Sequence, residues 1–263
     1  MVFSGFDYNE VERGRRENVE EKLREGSPVV GVSYDEGLLL LTVRQTQRKV
    51  FEVYDRLIFS AIGNQSDVEA IRVGAIDVAH REGFERSPDD VTAQRLVGFA
   101  LSPPLKRVFG DLSNAPAVIR ALFGELGKTP EQDAFFVLNY DGEFNNAHGF
   151  AVVAGTREAE DRMSLSLIGV VPQISRDQAL ERALRAWAAG AMESRRKKAS
   201  AKDEDMPDPL RDIDEADQIV GFLREELKTG QVEVGVLERK TTRESKFRLL
   251  GAKDIDGLLE EFS

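Results

Sequence analysis

Two short apolar runs near the amino end carry the most regular hydrophobic pattern in the chain. Residues 29–34 and 38–43 are rich in valine and leucine, and Asp35, Glu36 and Gly37 lie between them with the composition of a tight turn. Each run is too short for a membrane span, which takes about 20 apolar residues. We therefore predict two buried strands that pair as a hairpin.

Downstream, the hydrophobic period alternates between strand-like and helical values. A third strand is predicted after Lys49, followed by a fourth that ends at Gly63. Further strands are predicted at 133–141, 149–154, 231–239 and 246–250, and the stretch 117–126 fits either a strand or a helix. Helices are predicted at 9–25, 156–167, 216–228 and from 252, and three more open at the capping-box serines Ser66, Ser87 and Ser175.

This order of strands, helices, strands, helices and strands indicates an α+β fold. Two sheets face to face, with helix pairs outside both, would bury the apolar face of every element. With 263 residues, of which 41% are hydrophobic, the chain has enough apolar surface for one large domain, which we place at residues 9–263. A basic block followed by an acidic block at about 193–215 predicts a charged, mobile loop within that domain.

The amino-terminal segment has a different character. Residues 1–8 carry Phe3, Phe6 and Tyr8 without any period, which predicts a flexible terminus. The helix that follows has a thin apolar stripe, chiefly Val11, Val19 and Leu23. Such a helix either packs on a neighbouring molecule or is an ordinary surface helix, and its spacing alone does not decide between the two.

Composition removes several classes of function. The chain has no cysteine, which excludes disulfides and thiolate chemistry, and its two histidines, His80 and His148, have no neighbours at ligand spacing, so we expect neither a metal nor a cofactor. The net charge of -11 argues against general nucleic-acid binding. Without an apolar span or a signal-peptide pattern at residues 1–7, we expect no membrane association and a cytoplasmic location.

Several stretches resemble the proteasome family of N-terminal-nucleophile proteins, and its bacterial 20S α-type subunits in particular. The carriers are the run Val-Val-Gly-Val at 29–32, the segment 49–56, Ser-Ala-Ile-Gly at 60–63, the long match at 54–84, Asp-Val-Thr at 90–92 with Gln-Arg-Leu at 94–96, and Phe-Ala-Val-Val-Ala-Gly-Thr at 150–156. The resemblance covers roughly residues 9–192 and 231–262. It implies a four-layer αββα sandwich, and it implies a strand for the ambiguous stretch 117–126.

The resemblance also locates the catalytic positions of the family. Catalytic members use the first residue of the mature chain as nucleophile, assisted by a lysine and oriented by an aspartate. These positions fall on Ser27, Lys49 and Val43, and a valine cannot orient a proton transfer. A serine that the family keeps nearby is replaced by Ala154, and Pro28 directly follows Ser27. The resemblance therefore implies a non-catalytic α-type subunit.

For such a subunit, the family implies a heptameric ring at the outer end of a barrel whose peptide bonds are cut by a separate β subunit. The first residues, with Phe3, Phe6 and Tyr8, would restrict passage of protein substrates through the ring. Between adjacent subunits of the ring, a pocket would receive the carboxyl-terminal tail of an AAA-type ATPase activator, with Lys49 pairing with the carboxylate of the tail and Gly63 in the pocket wall. The expected partners are thus the β subunit, further copies of the chain, the ATPase and protein substrates in transit.

Two alternatives from other classes remain open on the sequence. The chain would be an autonomous serine hydrolase if cleavage after Gly26 released Ser27 as a nucleophile beside Lys49. It would instead be a free-standing scaffold if it kept this fold without assembling into a barrel.

Overall fold

The strands form two antiparallel sheets of five strands each. The computed structural model of the protein describes residues 5–200 and 215–260, with side chains for 9–196 and 216–260. In chain order, the strands are β1 Val29–Tyr34, β2 Gly37–Arg44, β3 Val50–Tyr54, β4 Leu57–Gly63, β5 Ile119–Glu125, β6 Ala134–Asn139, β7 Phe144–Ala147, β8 Phe150–Val153, β9 Gln231–Glu238 and β10 Phe247–Leu249. The first sheet has the order β10-β9-β2-β1-β8, and the second has the order β3-β4-β5-β6-β7.

The predicted hairpin is the centre of the first sheet. Tyr34 pairs with Gly37 at the turn, and Val30 pairs with Leu41 at the open end. All of β1 and nearly all of β2 are buried, because β2 is covered by sheet neighbours on both edges and by other layers on both faces. The stretch 117–126, which fitted either element, contains the strand β5.

The helices lie around the sheets in the predicted order. They are α1 Gly5–Leu23, α2 Gln65–Glu85, α3 Ala93–Arg95, α4 Ser102–Gly110, α5 Arg157–Leu167, α6 Arg176–Ser200, α7 Glu215–Glu226 and α8 Ala252–Glu260, with short 3-10 turns at Pro88–Asp90 and Pro130–Gln132. Within the ranges 5–200 and 215–260, no helix is both long and apolar enough to cross a bilayer.

Three hydrophobic clusters divide the molecule into layers. One lies between the sheets and includes Leu40, Ile58 and Phe135. A second covers the outer face of the first sheet, where Trp187 of α6 and Met163 of α5 pack on the strands. The third covers the outer face of the second sheet beneath α2 and the segment 93–105. Helices, sheet, sheet and helices therefore follow one another, which agrees with the predicted α+β sandwich.

Two boundaries differ from the sequence-based expectation. Helix α1 begins at Gly5 instead of Asn9, so residues 5–8 of the predicted flexible terminus are helical; no proline or glycine stands between Gly5 and Asn9 to stop a helix. Helix α6 runs to Ser200, so the predicted loop at 193–215 is helical over 193–200, where Arg, Lys and Ala favour a helix. The remainder of that loop up to residue 214, and Phe3 at the other end, lie outside the described residues.

The capping boxes give mixed results. At Ser175 the prediction is correct: the Gln178 amide donates to the Ser175 hydroxyl and the Ser175 amide donates to the Gln178 side chain. At Ser66 it is wrong, because α2 begins two residues earlier with Asn64 as its cap. The Ser87 box caps only a 3-10 turn, through its contact with Asp89.

The helix predicted to open at Ser87 begins instead after Thr92. The Thr92 side chain accepts from the Arg95 amide, and the chain continues as a π-helical segment at Leu96–Leu101 and then as α4. Pro103 and Pro104 stand in the first turn of α4. At that position a missing amide hydrogen costs little, so the prolines mark the change of helix type without ending the helical path.

Candidate functional site

The candidate site lies where helix α1 meets strand β1, at one end of the sandwich. Gly26 ends the helix, its amide donating to the Leu23 carbonyl oxygen at 2.9 Å. A methyl group on Gly26 would stand 2.8 Å from the Cβ atom of Ile62 in β4, and one on Gly155 would collide with the Leu23 carbonyl group. The end of α1 is therefore seated directly on β4 and on the turn after β8, which only glycines permit at these two positions.

Ser27, the position of the family's nucleophile, has its hydroxyl engaged in hydrogen bonds. Ser27 Oγ donates to the Val43 carbonyl oxygen at 2.6 Å, and the Trp187 indole donates to the same oxygen atom of Ser27 at 3.2 Å. Thr42 Oγ1, which donates to the Pro28 carbonyl oxygen, lies 3.4 Å away. The hydroxyl thus ties the start of β1 to β2 and α6, and its proton points at a backbone carbonyl instead of a base.

Lys49 lies beside Ser27, as the resemblance implied. Its Nζ donates to the Ser27 carbonyl oxygen at 2.7 Å and not to the hydroxyl. Burial lowers the pKa of Lys49 from 10.5 to about 8, while the negative charge of Glu233 opposes that fall. A half-buried ammonium group held by a single carbonyl has two donor hydrogens to offer another acceptor.

Glu233 is a second charged group of this site, and the sequence did not single it out. Its buried carboxylate accepts from the amides of Lys49, at 3.1 and 3.2 Å, and of Val50, at 2.8 Å. Arg44 Nε lies 2.9 Å from the same carboxylate, and Arg48 Nε lies at 4.0 Å. The signal that would have identified it is a lone glutamate in the apolar run Val-Glu-Val-Gly-Val of β9.

Gly63, the other predicted docking residue, ends β4 and is exposed. Its φ angle is +132°, and a Cβ atom there would collide with the Val118 carbonyl group. Both observations require glycine for reasons of backbone geometry alone. Because Val50 pairs with Ser60 in the β3–β4 ladder, Lys49 and Gly63 lie at the same end of the second sheet.

The carboxylate that bonds to the Ala154 backbone, that of Glu160, is also committed to structural bonds. Glu160 accepts from the Ala154 amide at 3.0 Å and forms an ion pair with Arg120 at 2.7 Å, and Arg120 donates to the Ala154 carbonyl oxygen at 3.0 Å. Burial raises the pKa of Glu160. The Glu160–Arg120 ion pair therefore holds helix α5 against the end of strand β8. The hydrogen bonds of Ser27 are those described above.

The remaining predicted positions are placed only in part. Phe6 and Tyr8 belong to helix α1 in their backbone, while Phe3 is outside the described residues. The two histidines have separate structural contacts, since His80 meets the Tyr54 ring edge-on and His148 Nδ1 lies 2.7 Å from the Asp133 carbonyl oxygen.

Comparison with characterised sequences identifies the relatives of this chain. A protein from Xylanimonas cellulosilytica named "Proteasome subunit alpha" is 32% identical over 148 residues, which is 56% of this chain and 60% of the relative. Proteins of the same name from Parafrankia sp. and Streptomyces scabiei match over 255 residues at 28% identity and over 257 residues at 24% identity. The chain is related to bacterial proteasome alpha subunits.

The extent of these matches differs between relatives. The longer two cover 95% and 94% of this chain, and 92% and 87% of the respective proteasome alpha subunits, so they extend over nearly the whole chain. The chain matches only 60% of the length of the Xylanimonas cellulosilytica alpha subunit. No protein-family model matches the chain.

Proposed function

We propose that this chain is a non-catalytic α-type subunit of a proteasome core. In this proposal it forms the heptameric outer ring, restricts passage of substrates with its first residues, and docks an AAA-type ATPase at Lys49 and Gly63. A separate β subunit would cut the peptide bonds of the tagged proteins, and the complex would work in the cytoplasm. The αββα layering is compatible with the N-terminal-nucleophile fold that this role requires.

The observation that carries the proposal is the bonding of Ser27. A nucleophile needs a base that takes its proton and a group that orients the base. The Ser27 hydroxyl donates to the Val43 carbonyl oxygen at 2.6 Å, and Val43 stands where catalytic relatives keep an acid. The alpha-subunit names of the relatives from Parafrankia sp. and Streptomyces scabiei support the same assignment.

Docking is the second part of the proposal. Carboxylates bind best to a positioned cation with free donor hydrogens. Lys49 offers such a cation at the end of the sheet where Gly63 is exposed. The Gly63 backbone is exposed at the end of β4, so an extended tail has access to it. The ammonium is half-buried, which strengthens its attraction for an anion relative to a fully hydrated lysine.

Co-expression with the β subunit from the same genome tests the assembly. We expect a complex far larger than a dimer by size-exclusion chromatography, with seven-fold end views by negative-stain electron microscopy. A chain that stays a small oligomer beside a well-folded β subunit would contradict the ring. The same β subunit expressed with a known alpha subunit provides the positive control.

The autonomous hydrolase is a second candidate because Lys49 does lie beside Ser27. It requires cleavage between Gly26 and Ser27, which would remove all of helix α1. The intact mass of the purified chain decides the point: loss of residues 1–26 together with peptide hydrolysis would favour the hydrolase. We expect the uncleaved mass and no hydrolysis by the chain alone.

A further inference from the structure

We infer that Glu233 is the positioning residue of Lys49: its carboxylate fixes the start of strand β3 and keeps the lysine ammonium charged for the carboxylate of an incoming peptide. This inference rests on the proposed docking function. It concerns a residue of the opposite sheet, which links the site to strand β9.

The geometry shows how one carboxylate holds the segment. Strand β3 is the edge strand of the second sheet, so part of its amides lack a partner within that sheet. Glu233 projects from β9 of the first sheet and accepts from two consecutive amides, that of Lys49 just before β3 and that of Val50 at its start. The backbone from which the lysine side chain extends is therefore fixed by a contact between the sheets.

The charge balance explains why this residue is an acid. Arg44 of β2 and Arg48 of the β2–β3 connection both face the carboxylate, at 2.9 and 4.0 Å. Together with Lys49 these side chains place three cations around Glu233, and the two arginines would disfavour the charged form of the lysine if the acid were absent. Burial already favours the neutral lysine, and the negative charge of Glu233 acts against it.

Three variants separate charge from hydrogen bonding. Glu233→Gln keeps an acceptor for the two amides but removes the charge, and Glu233→Asp keeps the charge on a shorter side chain. Glu238→Gln is the matched control: it lies on the same strand and pairs with Arg248 at 2.8 Å near the other end of β9. Arg44 also donates to the Thr46 carbonyl oxygen, so it retains a partner in Glu233→Gln.

The first measurement follows Lys49 itself, without any ligand. The lysines of the full chain are reductively methylated with a ¹³C label. The Lys49 signal is the one that disappears in Lys49→Arg, and its chemical shift is recorded against pH. We expect Glu233→Gln to lower the titration midpoint by about one pH unit, with partial recovery in Glu233→Asp and no change in Glu238→Gln. An unchanged midpoint in folded Glu233→Gln would overturn the inference.

The second measurement is binding of the peptide acetyl-Ala-Tyr-Leu with a free carboxylate, compared with the same peptide as an amide. We expect wild type to prefer the free carboxylate, Lys49→Ala to lose that preference, and Glu233→Gln to lose about tenfold in affinity at pH 7.5. If wild type shows no preference, the docking proposal fails, whereas the methylation titration still decides the role of Glu233. If Lys49→Ala loses binding but Glu233→Gln binds as wild type, only the role of Glu233 fails.

Discussion

The Lys49 ammonium lies 2.7 Å from the Ser27 carbonyl oxygen, and this contact joins the edge of one sheet to the segment that ends helix α1. The lysine belongs to the second sheet through β3, while Ser27 leads into β1 of the first. Under the proposed function, an incoming carboxylate would compete with or add to this bond. Docking of a carboxylate at Lys49 would therefore affect Ser27, the residue after Gly26, where the end of helix α1 contacts strand β4.

The lowered pKa of Lys49 predicts a pH-dependent stability. Unfolded chain binds the Lys49 proton with the ordinary pKa of 10.5 and folded chain with about 8, so between these values the unfolded state holds more protons. The free energy of unfolding should therefore rise with pH across this window relative to Lys49→Met. The difference corresponds to about 3 kcal/mol at full amplitude, and urea denaturation at pH 7 to 10.5 measures it.

Comparing wild type with Lys49→Met at each pH removes the titration of other groups. Lys22→Met is the control, because Lys22 is exposed on α1 and its substitution also removes one lysine while leaving the buried site intact. A difference between wild type and Lys49→Met that stays constant over the whole range would show that burial does not disfavour the charged lysine.

A second prediction concerns the backbone at Gly63. Gly63→Ala should lower the free energy of unfolding by at least about 2 kcal/mol, because the residue has a φ angle of +132° and its Cβ atom would collide with the Val118 carbonyl group. Denaturation midpoints of the purified variants measure the effect.

Gly74→Ala serves as the control for the Gly63 substitution. It lies inside α2 with its nearest neighbour atom, Leu101 Cδ2, 3.9 Å from the added methyl group, so it should raise stability by about 0.5 to 1 kcal/mol. Equal stabilities of Gly63→Ala and wild type would mean that the end of β4 adapts freely.

How much the sequence could predict depends on whether the relevant force is local. The hairpin β1–β2 and the box at Ser175 were predictable because their signals lie within a few residues. Strand β7 was missed because its sequence Phe-Asn-Asn-Ala is mostly polar, and it forms only by pairing with β6. Its existence depends on the sheet and not on its own pattern.

The same limit applies to the candidate site. Ser27 and Lys49 were expected to be neighbours through the resemblance, and the structure brings them together. Glu233 comes from a strand 184 residues away from Lys49, and periodicity does not tell which amides a carboxylate will reach. The bond of Ser27 to the Val43 carbonyl oxygen was also beyond the sequence, because a valine there predicts only a missing acid.

A third prediction addresses the buried ion pair at the opposite end of the sandwich. Arg239 donates to both carboxylate oxygens of Asp133, at 3.0 and 2.8 Å, and Ser33 donates to the same group, which is fully buried. Arg239→Met leaves this charge without its cation, so we expect a loss of about 3 to 5 kcal/mol in the free energy of unfolding.

Lys240→Met is the matched control for the Arg239 substitution. It removes the neighbouring ion pair with Glu36, in which both side chains are exposed, and it should leave the free energy of unfolding nearly unchanged. A double-mutant cycle with Asp133→Asn separates the pair energy from the cost of the unpaired charge. A similar small loss for Arg239→Met would show that water reaches Asp133 when the arginine is absent.

The last prediction concerns how helix α1 is held along its length. Arg16 of α1 donates to Asp141 at 2.7 Å, and Asp141 is buried in the turn before β7, where it also accepts from the Glu143 amide. Tyr140 donates to Glu20 one turn further along the helix. Asp141→Asn should therefore weaken the middle of α1 while leaving the glycine contacts of its end in place. Amide hydrogen exchange over residues 9–20 should accelerate about tenfold, which corresponds to about 1.4 kcal/mol of lost protection.

Glu17→Gln, which removes the exposed pair with Arg13, should leave exchange nearly unchanged. If Asp141→Asn exchanges like wild type, the Arg16–Asp141 pair does not hold the middle of α1, and the helix depends on its other contacts, such as the Tyr140–Glu20 hydrogen bond and the packing of Gly26.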